Sequence, residues 1–139
     1  MIIGNPPFLG AKLMKGRLGV CETERLRATF AGRLPGFTDL VCYWFEKARA
    51  KIVAGEAQRA SFVATNSIAK NTNLPVLRRI LEKLVIYEAL ADETWTIDGA
   101  AVRVALICFA PTATARAPFV LNGESVSTIN ANLTAGVDI

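Results

Sequence analysis

Apolar and polar positions fall into short blocks along this chain, and their spacing predicts its elements. Met1-Ile2-Ile3-Gly4 is an apolar run stopped by Asn5-Pro6-Pro7. It reads as the end of a buried strand, because a Pro-Pro pair continues neither a ladder nor a helix. Residues 9–19, with Gly10, Gly16 and Gly19, read as a loop, and a charged helical stretch at about 21–31 closes at Gly32 and Pro35-Gly36. The clearest helix spans about 39–54. There Leu40, Trp44, Ala48 and Ile52 recur every four residues with Val41 and Phe45, while Glu46, Lys47, Arg49 and Lys51 take the other face. Thr38 or Asp39 can cap its first turn, and Gly55 is a natural stop.

A strand follows at about 60–65, then a polar loop from Asn66 to Asn73 and a helix at about 75–83. Val85–Ala91 reads as a strand and Trp95–Ile97 as a shorter one, with Asp98-Gly99 as a turn. Val102–Phe109 is the best buried strand. Beyond Pro111 the periodicity weakens, with a short hairpin expected about Asn122-Gly123 and an irregular tail. Strands separated by helices predict an α/β layered domain, with parallel pairing through the helices and an antiparallel last pair at an edge.

Composition removes several kinds of chemistry. The 139 residues are 52% hydrophobic and 20% charged, which is incompatible with a disordered chain. The longest apolar run, Val104–Ala110, is too short to span a bilayer, and the first 20 residues lack the pattern of a secretory signal. A cytoplasmic location without membrane contact is the resulting expectation. There is no histidine, so a histidine-based triad, a Cys-His nucleophile and a Cys/His zinc site are excluded, and no metal is expected. Cys21, Cys42 and Cys108 are odd in number and far apart. They read as small buried hydrophobes.

The net charge of +4 lies entirely in residues 1–36, which hold Lys12, Lys15, Arg17, Arg25, Arg27 and Arg33 against Glu22 and Glu24. Such a patch suits a polyanion, although a solvated helix face has the same composition. It directly follows the most informative segment, Asn5-Pro6-Pro7-Phe8, at the carboxyl end of a buried strand, where open α/β sheets bind ligands. The Asn5 side chain and the Pro6 carbonyl are two acceptors, and Phe8 is a flat apolar face. Together they suit a planar ring with an exocyclic amine: acceptors off the ring plane draw the nitrogen towards a tetrahedral shape and free its lone pair. A strand-ending turn with Phe8 packed in the core is the other reading of the same four residues.

These residues resemble the catalytic signature of the N6-adenine DNA methyltransferases, (Asn/Asp/Ser)-Pro-Pro-(Tyr/Phe). The likeness extends through Ile2–Gly10, Asp39–Ala48, Phe62–Ile68 and Ala100–Phe109. In this order the blocks are similar to the large fused restriction-modification enzymes of the MmeI-like type, over about residues 1–134. The resemblance implies the C-terminal half of a Rossmann-like S-adenosylmethionine-dependent methyltransferase domain, a mixed, mostly parallel sheet with helices on both faces. It implies methyl transfer from S-adenosylmethionine to the N6 amine of an adenine flipped out of double-stranded DNA.

By that resemblance Asn5, Pro6, Pro7 and Phe8 form the catalytic segment. Asn5 also faces the cofactor, as Asp39 does unless it caps its helix. Phe8 and Phe109 pack on the flipped base, and Lys12, Lys15 and Arg17 meet flanking phosphates. Tyr43, Trp44 and Phe45 read as core, and Arg78 and Arg79 as a solvated helix face. Asn66 and Ser67 either line the site or make a turn. The chain contains no Gly-x-Gly turn of the kind that binds the cofactor in this family. The expectation is therefore a partial methyltransferase domain at 1–110 and a linker and hairpin segment at 111–139. The cofactor-binding half and a target-recognition domain would be partners outside the chain, and the isolated piece is expected to be inactive. A methyltransferase acting on RNA or protein amides, or a non-catalytic DNA- or partner-binding remnant, stays open.

Overall fold

The computed structural model of the chain describes residues 1–136. One six-stranded sheet organises them: β1 (Ile2–Gly4), β2 (Ala60–Thr65), β3 (Val85–Ile97), β4 (Ala100–Ala110), β5 (Phe119–Leu121) and β6 (Glu124–Val126). Their spatial order is β1-β2-β4-β3-β5-β6. The helices are α1 (Met14–Leu18), α2 (Val20–Thr29), α3 (Val41–Val53) and α4 (Leu74–Leu81). The β1–β2 and β3–β5 pairs are parallel, and the β2–β4, β3–β4 and β5–β6 pairs antiparallel. The sheet is mixed, as expected, but antiparallel pairs outnumber parallel ones. The cause is the two-residue turn Asp98-Gly99, which forces β4 to fold back and insert between β2 and β3. Both turn residues have positive φ, 50° and 80°, as does the Asn122-Gly123 pair that joins β5 to β6, the geometry favoured in tight hairpins.

Helix placement is narrower than the expected two-sided covering. In β2 the buried residues Ala60, Phe62 and Ala64 share one face, and the register aligns them with Phe109, Ile107 and Ala105 of β4. Phe45, Ala48 and Ile52 of α3 and Val76, Leu77 and Ile80 of α4 pack into the same core cluster. Helices α3 and α4 therefore lie on one face. On the other face, Ile3 is 73% exposed and Ser61 and Val63 are half-buried. Leu121, Ile129 and Leu133 join the same cluster, so the segment after Pro111 extends and seals the one core. The last three residues of the expected 111–139 segment lie outside the described residues.

Several local expectations change. The stretch read as a glycine loop forms a 3₁₀ turn at Ala11–Leu13 and then α1, because Met14 is wholly buried and pins it to the core. The polar loop after β2 winds into 3₁₀ turns at Asn66–Ala69 and Asn71–Asn73. The stretches at 85–91 and 95–97 are one continuous β3. Cys42 and Cys108 are buried, but Cys21 is exposed on α2, whose other residues are mostly charged or exposed. In α3 the inward stripe is displaced: Trp44 is 38% exposed, whereas Tyr43 and Glu46 are buried. The helix is covered on two sides, with Tyr43 edge-on to Phe30 at 5.0 Å and Glu46 facing α4.

Candidate active site

Because β1 and β2 run parallel in register, Gly4 beside Phe62, the chain leaves both strands at the same end of the sheet. Asn5-Pro6-Pro7-Phe8 emerges from β1 there, and Asn66-Ser67 emerges from β2. Gly4 permits the close approach of the two strands' contents: a Cβ on it would lie 3.2 Å from the Phe62 ring. Asn5 is exposed, Pro6 buried, Pro7 exposed and Phe8 half-buried. Among the described residues the Asn5 amide has no hydrogen-bond partner. Its carbonyl oxygen is thus available to a ligand, and the buried Pro6 ring beneath it fixes where the backbone turns.

Beside this segment a polar network joins three stretches of chain. Asp39 Oδ1 accepts from the Ala11 amide at 3.0 Å, and Oδ2 accepts from Asn73 Nδ2 at 2.8 Å and Ser67 Oγ at 3.2 Å. The Leu40 amide donates to the Leu9 carbonyl at 2.9 Å. Asp39 makes no capping bond, and the residue at the α3 N-cap is Leu40. Asn73, 4% exposed, returns a bond by accepting from the Asp39 amide at 3.0 Å. It also accepts from Cys42 Sγ at 3.4 Å. Burial, with the Asp39 charge beside it, pushes the Cys42 thiol far up, so it remains a neutral donor. The network forms the floor of a cavity of about 450 Å³ whose walls include Lys12, Phe37, Ser67 and Lys70.

The sequence-predicted residues divide accordingly. Asn5, Pro6, Pro7, Phe8, Asp39 and Ser67 gather at one end of the sheet, and Lys12 lines the adjoining cavity. Lys15 stands 3.7 Å from Glu24 on the helical segment beyond, and Arg17 is exposed there. Phe109 does not join them. It is fully buried, with its ring stacked on Phe45 at 5.9 Å and tilted against Phe62 at 6.2 Å. Since β4 runs antiparallel, its last residues pair with the start of β2, Phe109 with Ala60, and lie at the end of the sheet away from Asn5. Phe109 is a core residue, not a base-stacking one.

Asn73, Phe37 and Lys70 are the site residues the sequence reading missed. Asn71-Thr72-Asn73 looks like an ordinary polar turn, and only the fold brings it to Asp39. As for S-adenosylmethionine, the open amide of Asn5 fits a role in holding it. The two oxygens of Asp39 accept three hydrogen bonds, which leaves the carboxylate a further acceptor position beside the cavity it lines. The described residues contain no cluster of metal-ligating side chains. No helix among them is long and apolar enough to cross a membrane.

A mixed sheet in which an antiparallel strand inserts between two strands of common direction, with helices packed on it, is a Rossmann-like α/β fold. A family model described as MmeI, DNA-methyltransferase domain, matches residues 1–120. The chain belongs to this family. It is also similar to the type IIL restriction-modification enzyme MmeI, whose structure was determined in complex with DNA. The TM-score is 0.76 at 28% sequence identity, and the match covers 99% of this chain and 20% of that one. The chain thus spans about a fifth of the length of that enzyme. No curated protein matches it.

Proposed function

We propose that this domain transfers a methyl group from S-adenosylmethionine to the N6 amine of an adenine in double-stranded DNA, as part of a restriction-modification enzyme. The observation that carries the reading is the amide of the exposed Asn5, unpartnered among the described residues, at the carboxyl end of β1, followed by a buried proline and a half-buried phenylalanine. S-adenosylmethionine, when bound, supplies the electrophilic methyl group. Asn5 Oδ1 and the Pro6 carbonyl accept the two N–H bonds of the amine, and Phe8 stacks on the base. Accepting both bonds off the ring plane frees the nitrogen lone pair to act as the nucleophile. An adenine reaches these groups only when turned out of the duplex.

Two features of the surroundings support the reading. Lys12 and Arg17 are exposed on the segment that follows Phe8, where they can meet phosphates on either side of the extruded nucleotide. On the other side of the motif, β1 pairs only with β2 among the described residues. Its outer edge borders an apolar groove of about 400 Å³ lined by Ile2, Phe30, Tyr43, Trp44 and Phe62. An unpaired strand edge beside an apolar groove is a template for further strand and helix. We place the cofactor-binding half there, with target recognition carried by a further domain.

The test is acceptor competition with the full-length protein and labelled S-adenosylmethionine. Duplex DNA, RNA and protein are offered together, and the labelled product is identified. Label recovered as N6-methyladenine in DNA supports the proposal. Label in RNA or in a protein amide transfers it to those acceptors, and DNA binding without transfer reduces it to a binding role.

A further inference from the structure

Residues 5–8 leave β1 without the usual means of holding their own shape. Pro6 and Pro7 have no N–H to donate, and among the described residues no backbone bond originates within the segment. Its position is therefore set at its two ends. The upstream end is fixed by the β1–β2 register. The downstream end is fixed at Leu9 and Ala11, where the Leu9 carbonyl accepts from Leu40 and the Ala11 amide donates to Asp39.

Asp39 is itself held by Asn73. The two exchange a reciprocal pair of bonds, Asn73 Nδ2 to Asp39 Oδ2 at 2.8 Å and the Asp39 amide to Asn73 Oδ1 at 3.0 Å. The remaining capacity of the Asn73 amide is filled by Cys42 Sγ at 3.4 Å and by the Ser67 carbonyl at 3.2 Å. A side-chain amide offers two donors and two acceptor positions, and here all four are used. Asparagine is thus chemically specified: Asp lacks the donors at neutral pH, and Ala lacks everything. A continuous chain of bonds runs from the end of β2 through Ser67, Asn73 and Asp39 to Ala11, five residues beyond Pro6.

We infer that Asn73 is a positioning residue for methyl transfer, acting through Asp39 to fix the downstream end of the Asn5-Pro6-Pro7-Phe8 segment against the loop after β2. This rests on the adenine-methyltransferase reading for its catalytic consequence, though not for the latch itself. Removing the latch leaves Asn5, Pro6, Pro7 and Phe8 themselves unsubstituted and displaces the two acceptors from the amine. A displacement on the order of 1 Å at reacting atoms costs about 10²-fold in rate.

The experiment compares Asn73→Ala and Asn73→Asp with the unsubstituted full-length protein, by methyl-transfer kinetics and by amide hydrogen exchange. Asn73→Ala is expected to lose about 10²-fold in kcat with little change in the KM for DNA. Exchange should quicken in peptides covering residues 9–13 and remain unchanged in β4. Asn73→Asp sets a second carboxylate against Asp39, so the pair holds one proton only as pH falls. Asp39 and Cys42 touch this position, and Lys12 and Lys70 line the same cavity. The protonated acid can again donate to Asp39, so the activity of Asn73→Asp relative to the unsubstituted protein should rise towards lower pH. That of Asn73→Ala should not.

Unchanged kcat in Asn73→Ala, exchange that quickens equally in β4, or pH profiles of the same shape in both variants would overturn the inference. If the unsubstituted protein methylates no DNA, the adenine reading falls. The exchange pattern then decides on the latch alone, faster exchange confined to residues 9–13 supporting it and unchanged exchange there refuting it.

Discussion

Arg49 grips Glu46 with two hydrogen bonds, Nε to Oε2 at 2.8 Å and Nη2 to Oε1 at 2.7 Å, on the face of α3 turned away from solvent. Glu46 is 1% exposed, and Arg33 Nε at 3.1 Å and Arg79 Nε at 3.3 Å complete its surroundings. One carboxylate thereby joins the segment after α2, the helix α3 and the helix α4. Burial pushes its carboxyl up, but the hydrogen bonds from Arg49 and Arg33 and the charges of Arg49 and Arg79 outweigh that and hold it below its ordinary value of 4.5.

A lowered carboxyl in the folded state has a definite sign. The unfolded chain binds the proton first as pH drops, so the stabilisation is full above about pH 4.5 and is lost as pH falls through the lower folded-state value. Glu46→Gln keeps the shape and removes the charge. It should cost about 1.5–3 kcal/mol at neutral pH, the range for hydrogen bonds to charged groups. Arg33 and Arg79 are about a third exposed and screened, so most of the loss belongs to Arg49. Urea unfolding over descending pH checks this: the gap between the two proteins should close in acid, and a gap that widened there would contradict it.

Phe109 supplies a second prediction. Its ring completes the cluster with Phe45 and Phe62 where α3 meets the sheet. Phe109→Ala should destabilise the fold by about 3–5 kcal/mol through cavity formation. Phe109→Leu should cost less and leave methyl transfer nearly intact. A Leu variant that kept its stability yet lost base binding, followed with a fluorescent adenine analogue at the target position, would return Phe109 to the base.

The same residue marks what the sequence can and cannot convey. Periodicity made the element order legible, and Asp98-Gly99 and Asn122-Gly123 announced their turns, because those signals are local. That Phe109 lies at the far end from Asn5 depends on the direction of β4, which a hydrophobic run does not encode. The inward turn of Glu46 was equally hidden. A helix packed on one side buries its apolar stripe, but α3 is packed on two, and its second partner brings arginines. The i, i+3 spacing of Glu46 and Arg49 was the one visible trace of the cluster. In the candidate site, Asn5-Pro6-Pro7-Phe8 was visible as a motif since its four residues are adjacent in sequence. Asn73 was not, standing 34 positions from Asp39.

For Asn5 the expected outcome is loss of chemistry without loss of fold. The side chain is exposed and, among the described residues, supports no other group, so Asn5→Ala should leave the unfolding midpoint unchanged. If Asn5 supplies one of two acceptors for the amine, removing it should lower kcat by about 10²–10³-fold, the range for a single preorganised electrostatic group. Asn5→Asp should retain part of the rate because a carboxylate still accepts. Full activity in Asn5→Ala would remove Asn5 from the chemistry.

The basic segment after the motif gives a prediction in salt. Lys12 and Arg17 make no ion pair among the described residues, whereas Lys15 stands 3.7 Å from Glu24. If Lys12 and Arg17 each neutralise one phosphate, replacing either with Ala should lower the slope of log affinity against log salt by about 0.9 for duplex DNA. Lys15→Ala should change it less, since its charge is already partly balanced within the protein. The loss should be uniform across DNA sequences, because phosphate contacts carry no base information. Titrations of the full-length protein at several salt concentrations, on a target and an unrelated duplex, check both statements. An unchanged slope in the Lys12→Ala and Arg17→Ala variants would move the DNA-binding surface away from this segment, and a loss confined to the target duplex would make these residues readers of sequence.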